Sequence, residues 1–173
     1  MLKRAPAALQ EPRSKIAIYP GTFDPVTYGH IDLIRRASRI FDRVIVAVAH
    51  SPAKGTMFSV KERVGLLKNS IKGIANVEVD DFDGLVVEYA KRSGASVMVR
   101  GLRMISDFEY EFQMALTNRK LDGDIETIFM MPHEGYSYVS SKLIKEAAAL
   151  GADLGNFVPK EVEAVLKKKL KRK

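Results

Sequence analysis

Thr27-Tyr28-Gly29-His30 sets a hydroxyl, a residue without a side chain and an imidazole within four positions. The four follow a β-branched and aromatic run, Lys15 to Tyr19, and the turn signals Pro20-Gly21 and Asp24-Pro25. They precede Ile31, Ile34, Ala37 and Phe41, an apolar series at helical spacing. This order predicts a buried strand, a tight loop and a helix. Such a loop gathers free backbone N–H groups and the positive end of a helix dipole, the parts of an anion site. Taken alone, His30 is an ordinary helix-start histidine; at the carboxyl end of a strand, where open α/β sheets bind ligands, it becomes a candidate phosphate donor.

Other loops carry groups of the same use. Thr22 lies in the first, Lys54 in Ser51-Pro52-Ala53-Lys54-Gly55, and two arginines in Arg100-Gly101-Leu102-Arg103. Ser140 and Ser141 stand at a helix start, a second anion seat of hydroxyls and N–H groups. Lysine supplies a point charge and arginine a fixed fork of donors suited to phosphate oxygens. Gly101 beside Arg100 permits close backbone approach. Each group alone is ordinary surface charge or an ordinary cap. Four loops aimed at one edge imply a ligand with several phosphates.

The elements that must position these groups alternate along the chain. After the first helix come strands at Arg43 to Ala49, Asn76 to Asp80, Ser96 to Arg100 and Ile125 to Met131. Helices fall between them. One opens with the capping box Ser59-Val60-Lys61-Glu62, one spans Leu85 to Arg92, and one is capped by Ser106 or Asp107, with Phe108, Phe112, Ala115 and Leu116 facing inward. Pro132 to Tyr138 reads as a loop, Ser140 to Leu150 as a helix, and Pro159 to Leu170 as a last amphipathic helix. Right-handed crossovers then make a doubly wound, Rossmann-like α/β fold: a five-stranded parallel sheet with helices on both faces. Residues 15–170 form one domain, and residues 1–14, with Pro6 and Pro12, an ill-ordered arm.

Composition narrows the function classes. The chain of 173 residues contains no cysteine, so disulfides, thiolate nucleophiles and cysteine zinc sites are excluded, and a reducing cytoplasm is expected. No apolar run reaches the length of a membrane span, so no membrane partner is expected. The net charge of +7 resides at the ends: residues 1–15 carry +3, residues 160–173 carry +5, and the body between them carries −1. The Lys167–Lys173 run reads as a frayed, solvated helix end, so no nucleic-acid partner is expected, although a basic nucleic-acid-binding protein is the rival class. Asp107, Glu109 and Glu111 suit a helix start by the dipole rather than a carboxylate catalyst. His50 and His133 lack partners at metal spacing, no P-loop pattern occurs, and the seven methionines read as core filling.

Together, YPGTFDPVTYGHID, the SPAK loop, VRGLR with DFEYE, and YSYVSS closely resemble the bacterial phosphopantetheine adenylyltransferases, of the nucleotidyltransferase superfamily that carries T/H-x-G-H. The resemblance spans about Ile16 to Pro159 and implies transfer of AMP from ATP to 4′-phosphopantetheine, giving dephospho-coenzyme A and pyrophosphate. It implies a catalytic set of Thr22, His30, Lys54 and Arg103, with direct in-line attack and no covalent intermediate. His30 would stabilise the transition state at the α-phosphate. ATP contacts would come from Thr22, Phe23, His30, Gly101, Leu102, Arg103, Glu111 and the run Tyr136, Ser137, Tyr138, Val139, Ser140, Ser141 and Lys142. Acceptor contacts would come from Thr22, Lys54, Val86 and Arg100. The resemblance further implies Mg²⁺ arriving with ATP, coenzyme A as feedback inhibitor and a homohexamer. Lys142 departs from the Ser or Thr usual there; a backbone N–H contact survives that change and a hydroxyl contact does not. A sister enzyme using CTP or another acceptor is the nearer alternative.

Overall fold

The computed structural model describes residues 14–50 and 55–171. In chain order they form β1 (Ile16–Gly21), α1 (Tyr28–Ala37), β2 (Arg43–Ala49), α2 (Val60–Ser70), β3 (Val77–Phe82), α3 (Val86–Arg92), β4 (Val97–Gly101), α4 (Ile105–Leu121), β5 (Glu126–Met130), α5 (Ser141–Ala149) and α6 (Lys160–Leu170). The strands are all parallel, in the order β3-β2-β1-β4-β5. The order reverses between β1 and β4, where a doubly wound sheet opens a crevice beyond its carboxyl ends.

Period-two alternation in the central strands feeds two cores. Ala17, Tyr19, Val44, Val46 and Val48 face α1, α2, α5 and α6, burying Ile34, Leu67, Ile144, Val162 and Leu166. Ile18, Ile45, Ala47 and Met98 face the other way, against Val87 and Ala90 of α3. Each large aliphatic side chain buried this way contributes about 1.5–3 kcal/mol before ordering costs. Burial on both faces is why these strands read as nearly continuous apolar runs. Helix starts are fixed locally: Ser59 accepts from Glu62 N while Glu62 accepts from Ser59 N, the expected capping box.

The sequence reading fails at several points. Pro20 and Gly21 do not turn; they extend β1, paired in register with Ala47 and Val48, because proline's fixed φ suits extended chain as well as turns. The reversal falls instead on Phe23, at φ 50°, and on the cis Asp24–Pro25 peptide. Helix α4 starts at Ile105 with no side-chain cap, and Asp107 binds Arg103 instead of capping. Along α4 Phe108, Phe112 and Leu116 are exposed, Ala115 is half-buried and only Asn118 is buried, because α4 and β5 lie at the outer edge of the sheet. Met104 and Met131 are exposed beside them, so the methionines are only partly core filling.

The basic end is not frayed within the described residues. Helix α6 continues to Leu170, and Lys169 binds both carboxylate oxygens of Glu62 at 2.7 and 2.6 Å and lies 4.8 Å above the Phe58 ring. Lys167 pairs with Glu163 one turn back. The N-terminal arm to residue 13, and Arg172 and Lys173, lie outside the described residues. No helix among them is long and apolar enough to cross a membrane.

Candidate active site

A cavity of about 410 Å³ opens beyond the carboxyl ends of β1 and β4, with walls from the first loop, the start of α1, the segment before α2, the β4–α4 turn and the start of α5. Its floor begins at Gly21. A Cβ there would come within 2.8 Å of the Phe23 ring, so a residue without a side chain lets the loop fold Phe23 inward. The buried Phe23 ring meets the Tyr19 ring edge-on at 5.5 Å and the His30 imidazole at 5.0 Å, holding the imidazole from beneath.

His30 is held by the start of its own helix. The Thr27 amide donates to His30 Nδ1 at 3.0 Å, while Thr27 Oγ1 accepts from the His30 amide at 3.5 Å, a capping box in which an imidazole takes the usual glutamate's place. An amide can donate to Nδ1 only if that nitrogen carries a lone pair. The ring proton therefore resides on Nε2, at the opposite edge, a tautomer assigned from this bond. Burial lowers the imidazole pKa to about 4, helped by the positive fields of Arg103 and Arg100. At neutral pH the ring is an uncharged N–H donor. Burial also raises the Tyr19 phenol far above its ordinary value, against the pull of Arg100 and Arg103, and keeps it protonated.

The opposite wall is charged and already paired. Arg100 forks onto Glu111, Nε to Oε2 at 2.7 Å and Nη2 to Oε1 at 2.6 Å, and its Nη1 donates to the Pro20 carbonyl. Burial opposes the Arg100 charge, and the Glu111 bonds and charge, with Tyr19 and Tyr110 nearby, together more than offset it. Arg103 forks onto Asp107 at 3.0 and 3.1 Å and donates to the Val139 carbonyl at 3.1 Å, tying the β4–α4 turn to the segment before α5. Gly101 lines the cavity and also lets α1 pack closely: a Cβ there would come within 2.7 Å of Leu33 Cδ1.

At the third wall the serine hydroxyls are engaged internally. Ser140 Oγ accepts from the Leu143 amide and Ser141 Oγ donates to the Pro25 carbonyl at 2.7 Å, which pins the start of α5 to the first loop. The positive end of α5 thus faces the cavity with Lys142 on its rim. One turn further, Lys145 donates to Asp24 Oδ2 at 2.6 Å.

The cavity brings together Thr22, Phe23, His30, Arg100, Gly101, Arg103, Glu111, Tyr136, Val139, Ser140, Ser141 and Lys142. Leu102, Ser137 and Tyr138 are not part of the lining: the Leu102 amide donates to Met130, Ser137 Oγ donates to Glu134, and the exposed Tyr138 meets Phe157. Val86, at the start of α3, packs against the second core. Lys54 lies outside the described residues, although Gly55 and Thr56 next to it line the cavity. Sequence reasoning missed Tyr19, Asp24, Leu33 and Lys145. A signal existed for Lys145, which follows Ser141 by four positions and so shares its helix face. Among the described residues no three acidic or histidine side chains gather as a metal cage, and the cavity's two carboxylates, Asp24 and Glu111, are each bound by a cation.

The chain is similar to known proteins over nearly all its length. The model of the cytidylyltransferase-like family matches residues 18–147. The phosphopantetheine adenylyltransferase of Caldanaerobacter subterraneus subsp. tengcongensis is 58% identical over 158 residues, covering 91% of this chain and 99% of that protein. That of Alkaliphilus metalliredigens is 53% identical over 155 residues, covering 90% and 99%. Among solved structures, a Vibrio parahaemolyticus protein described as a nicotinate-nucleotide adenylyltransferase has a TM-score of 0.69 at 22% identity, covering 92% of this chain and 96% of its own. The nicotinic acid mononucleotide adenylyltransferase of Plasmodium falciparum has a TM-score of 0.66 at 12% identity, covering 92% and 95%. At such identities the likeness speaks for the fold alone. On the family match and the identity to its curated relatives, the chain belongs to the cytidylyltransferase-like nucleotidyltransferases and, among them, to the phosphopantetheine adenylyltransferases.

Proposed function

We propose that this cavity transfers AMP from ATP to 4′-phosphopantetheine, giving dephospho-coenzyme A and pyrophosphate. The observation that carries the substrate assignment is the 58% identity across 158 residues to a phosphopantetheine adenylyltransferase. The geometry supports the type of reaction: an uncharged donor, two arginines and a helix N-terminus converge on one cavity, and no cysteine is available as a nucleophile.

The acceptor phosphate is itself the nucleophile. One of its oxygens forms a bond to the α-phosphorus of ATP as the bond from that phosphorus to the β-phosphate bridging oxygen breaks, and pyrophosphate leaves with the electron pair. Neither a covalent enzyme intermediate nor a strong general base is needed, so catalysis rests on positioning and charge. His30 Nε2–H donates to a non-bridging α-oxygen where charge builds, a contact of the kind whose removal costs about 2.7–4 kcal/mol. Arg103 and the start of α5 take the β- and γ-phosphates, with Arg103 exchanging Asp107 for phosphate. Thr22, Lys54 and Arg100 take the acceptor phosphate, and Val86 flanks the pantetheine arm. Mg²⁺ enters on the nucleotide's own phosphates as part of the substrate, since the described side chains offer it no cage.

The same reading includes self-association, with a homohexamer as the expected assembly. Its support is the row of exposed apolar side chains Ile105, Phe108, Phe112 and Leu116 on α4, a kind of surface that marks interaction sites. Coenzyme A, which shares the pantetheine arm and adenylate of the product, is the expected inhibitor, and the cytoplasm, where ATP is supplied, the expected compartment.

Pyrophosphate release is the test, crossing ATP and CTP with 4′-phosphopantetheine, glycerol 3-phosphate and nicotinate mononucleotide. The expected result is turnover with ATP and 4′-phosphopantetheine at least a hundredfold above any other pair. Preference for CTP or another acceptor would transfer the assignment to a sister enzyme.

A further inference from the structure

Arg63 belongs to no wall of the cavity, yet its guanidinium is among the most deeply buried side chains of the protein, 1% exposed. A buried charge of this kind needs its donors satisfied. Arg63, on α2, donates through Nη1 to the Thr22 carbonyl at 2.7 Å and the Ala49 carbonyl at 2.8 Å, through Nη2 to the His50 carbonyl at 3.4 Å and through Nε to the Phe58 carbonyl at 3.2 Å. Asp24 complements it. Its buried carboxylate accepts from the Met57 amide at 3.0 Å and the Phe58 amide at 2.9 Å, and takes Lys145 Nζ from α5.

These contacts share a pattern. Ala49 and His50 lead into residues 51–54, and Met57 and Phe58 follow them; the arginine holds the carbonyls of Ala49, His50 and Phe58, and the aspartate holds the amides of Met57 and Phe58. Both side chains also reach the first loop, one through the Thr22 carbonyl and the other by belonging to it. Two buried groups of opposite charge thus fasten Ala49, His50, Met57 and Phe58 to the loop that carries Thr22. A guanidinium suits this work because its donors diverge in one rigid plane, whereas a lysine offers one nitrogen to carbonyls from separate segments.

We propose that Arg63 and Asp24 are positioning residues for the acceptor half of the reaction: Arg63 sets the spacing between Thr22 and the backbone at Ala49, His50 and Phe58, and Asp24 couples that spacing to α5 on the nucleotide side. The role rests on the assignment of Thr22 to the acceptor phosphate. Arg63 touches the acceptor side alone, and Asp24 touches both sides through Lys145. The two residues therefore differ in the substrate whose binding they control.

The test is steady-state kinetics and calorimetric binding of Arg63→Lys and Asp24→Asn beside the wild type, with circular dichroism as the check of folding. Arg63→Lys is expected to raise KM and Kd for 4′-phosphopantetheine at least tenfold and to change those for ATP less than threefold. Asp24→Asn is expected to weaken both substrates. Equal effects of Arg63→Lys on the two substrates, or none on either, would overturn the proposal and leave Arg63 a purely structural residue. A second readout needs no variant. In wild-type protein the Met57 and Phe58 amides, bound to a buried carboxylate, are expected to exchange hydrogen with solvent at least a hundredfold more slowly than unprotected amides; exchange near the unprotected rate would also overturn it. The wild-type assay separates the two readings. No turnover by the wild type removes the substrate assignment, and turnover without a split between substrates removes the positioning role.

Discussion

The two sides of the cavity are built on opposite plans. On the β1–α1 side His30 is uncharged, fixed by the backbone amide of Thr27 and braced by the buried Phe23 ring, with one ring edge left for a ligand. On the β4–α4 side Arg100 and Arg103 carry full charge and are each forked onto a carboxylate, Glu111 and Asp107. A ligand meets the first side ready-made. It must compete for the second, and less so at Arg103, whose ion pair is the more exposed and the weaker, than at Arg100. Transition-state donors gain by being fixed in advance, because no reorganisation remains at the moment of reaction. Charges that bind a polyphosphate gain by being kept apart by carboxylates until the ligand arrives.

Removing the fixed donor has the largest expected effect. His30→Ala is expected to lower kcat by about 10²–10³ while KM for ATP changes little, as for loss of a contact that strengthens in the transition state. A near-normal kcat would erase the distinction between the two sides. Next comes the competing side: Arg103→Ala, which removes a charge-assisted contact of about 1.5–3 kcal/mol, is expected to raise KM for ATP about ten- to a hundredfold with a smaller change in kcat.

The protonation state sharpens the comparison further. With a folded pKa near 4 against an ordinary 6.5, the His30 ring takes up protons more readily in the unfolded chain, so its contribution to stability is present above pH 6.5 and is lost as pH falls toward 4. Nitrogen NMR of the ring is expected to report the neutral Nε2–H form from pH 8 down to about pH 5. A doubly protonated ring at pH 6 would contradict the assignment. The smallest effect is expected from Asp107→Asn, which frees Arg103 from an exposed ion pair of about 0.2–1 kcal/mol. KM for ATP is then expected to fall about twofold to fivefold, and a rise would show that Asp107 orients Arg103 instead of competing for it.

The fold was legible in the sequence because β1, β2 and β4 alternate apolar residues on two faces and helix starts such as Ser59 to Glu62 are encoded within four residues. The parallel pairing of the strands and the meeting of Thr22, His30, Arg100, Arg103 and Ser140 at one edge followed from parallel crossovers, and the strand order did not. Partnership was not legible. Nothing local distinguishes a free arginine from one forked onto Glu111 eleven residues on, or reveals that Arg63 is buried against carbonyls of three segments. The turn at Pro20-Gly21 failed for a related reason: those residues tolerate extended chain, and the pairing with β2 decides their state. On α4 the apolar spacing was read correctly as a stripe and wrongly as inward, since a stripe does not say which body covers it.

The central claim is direct attack by the acceptor phosphate at a preformed site, and the most direct measurement is the stereochemical course of transfer from ATP bearing a chiral phosphorothioate at the α-position to 4′-phosphopantetheine. A single in-line displacement predicts inversion at phosphorus in the dephospho-coenzyme A thiophosphate. Retention would require two displacements and an adenylylated protein, and would contradict the account.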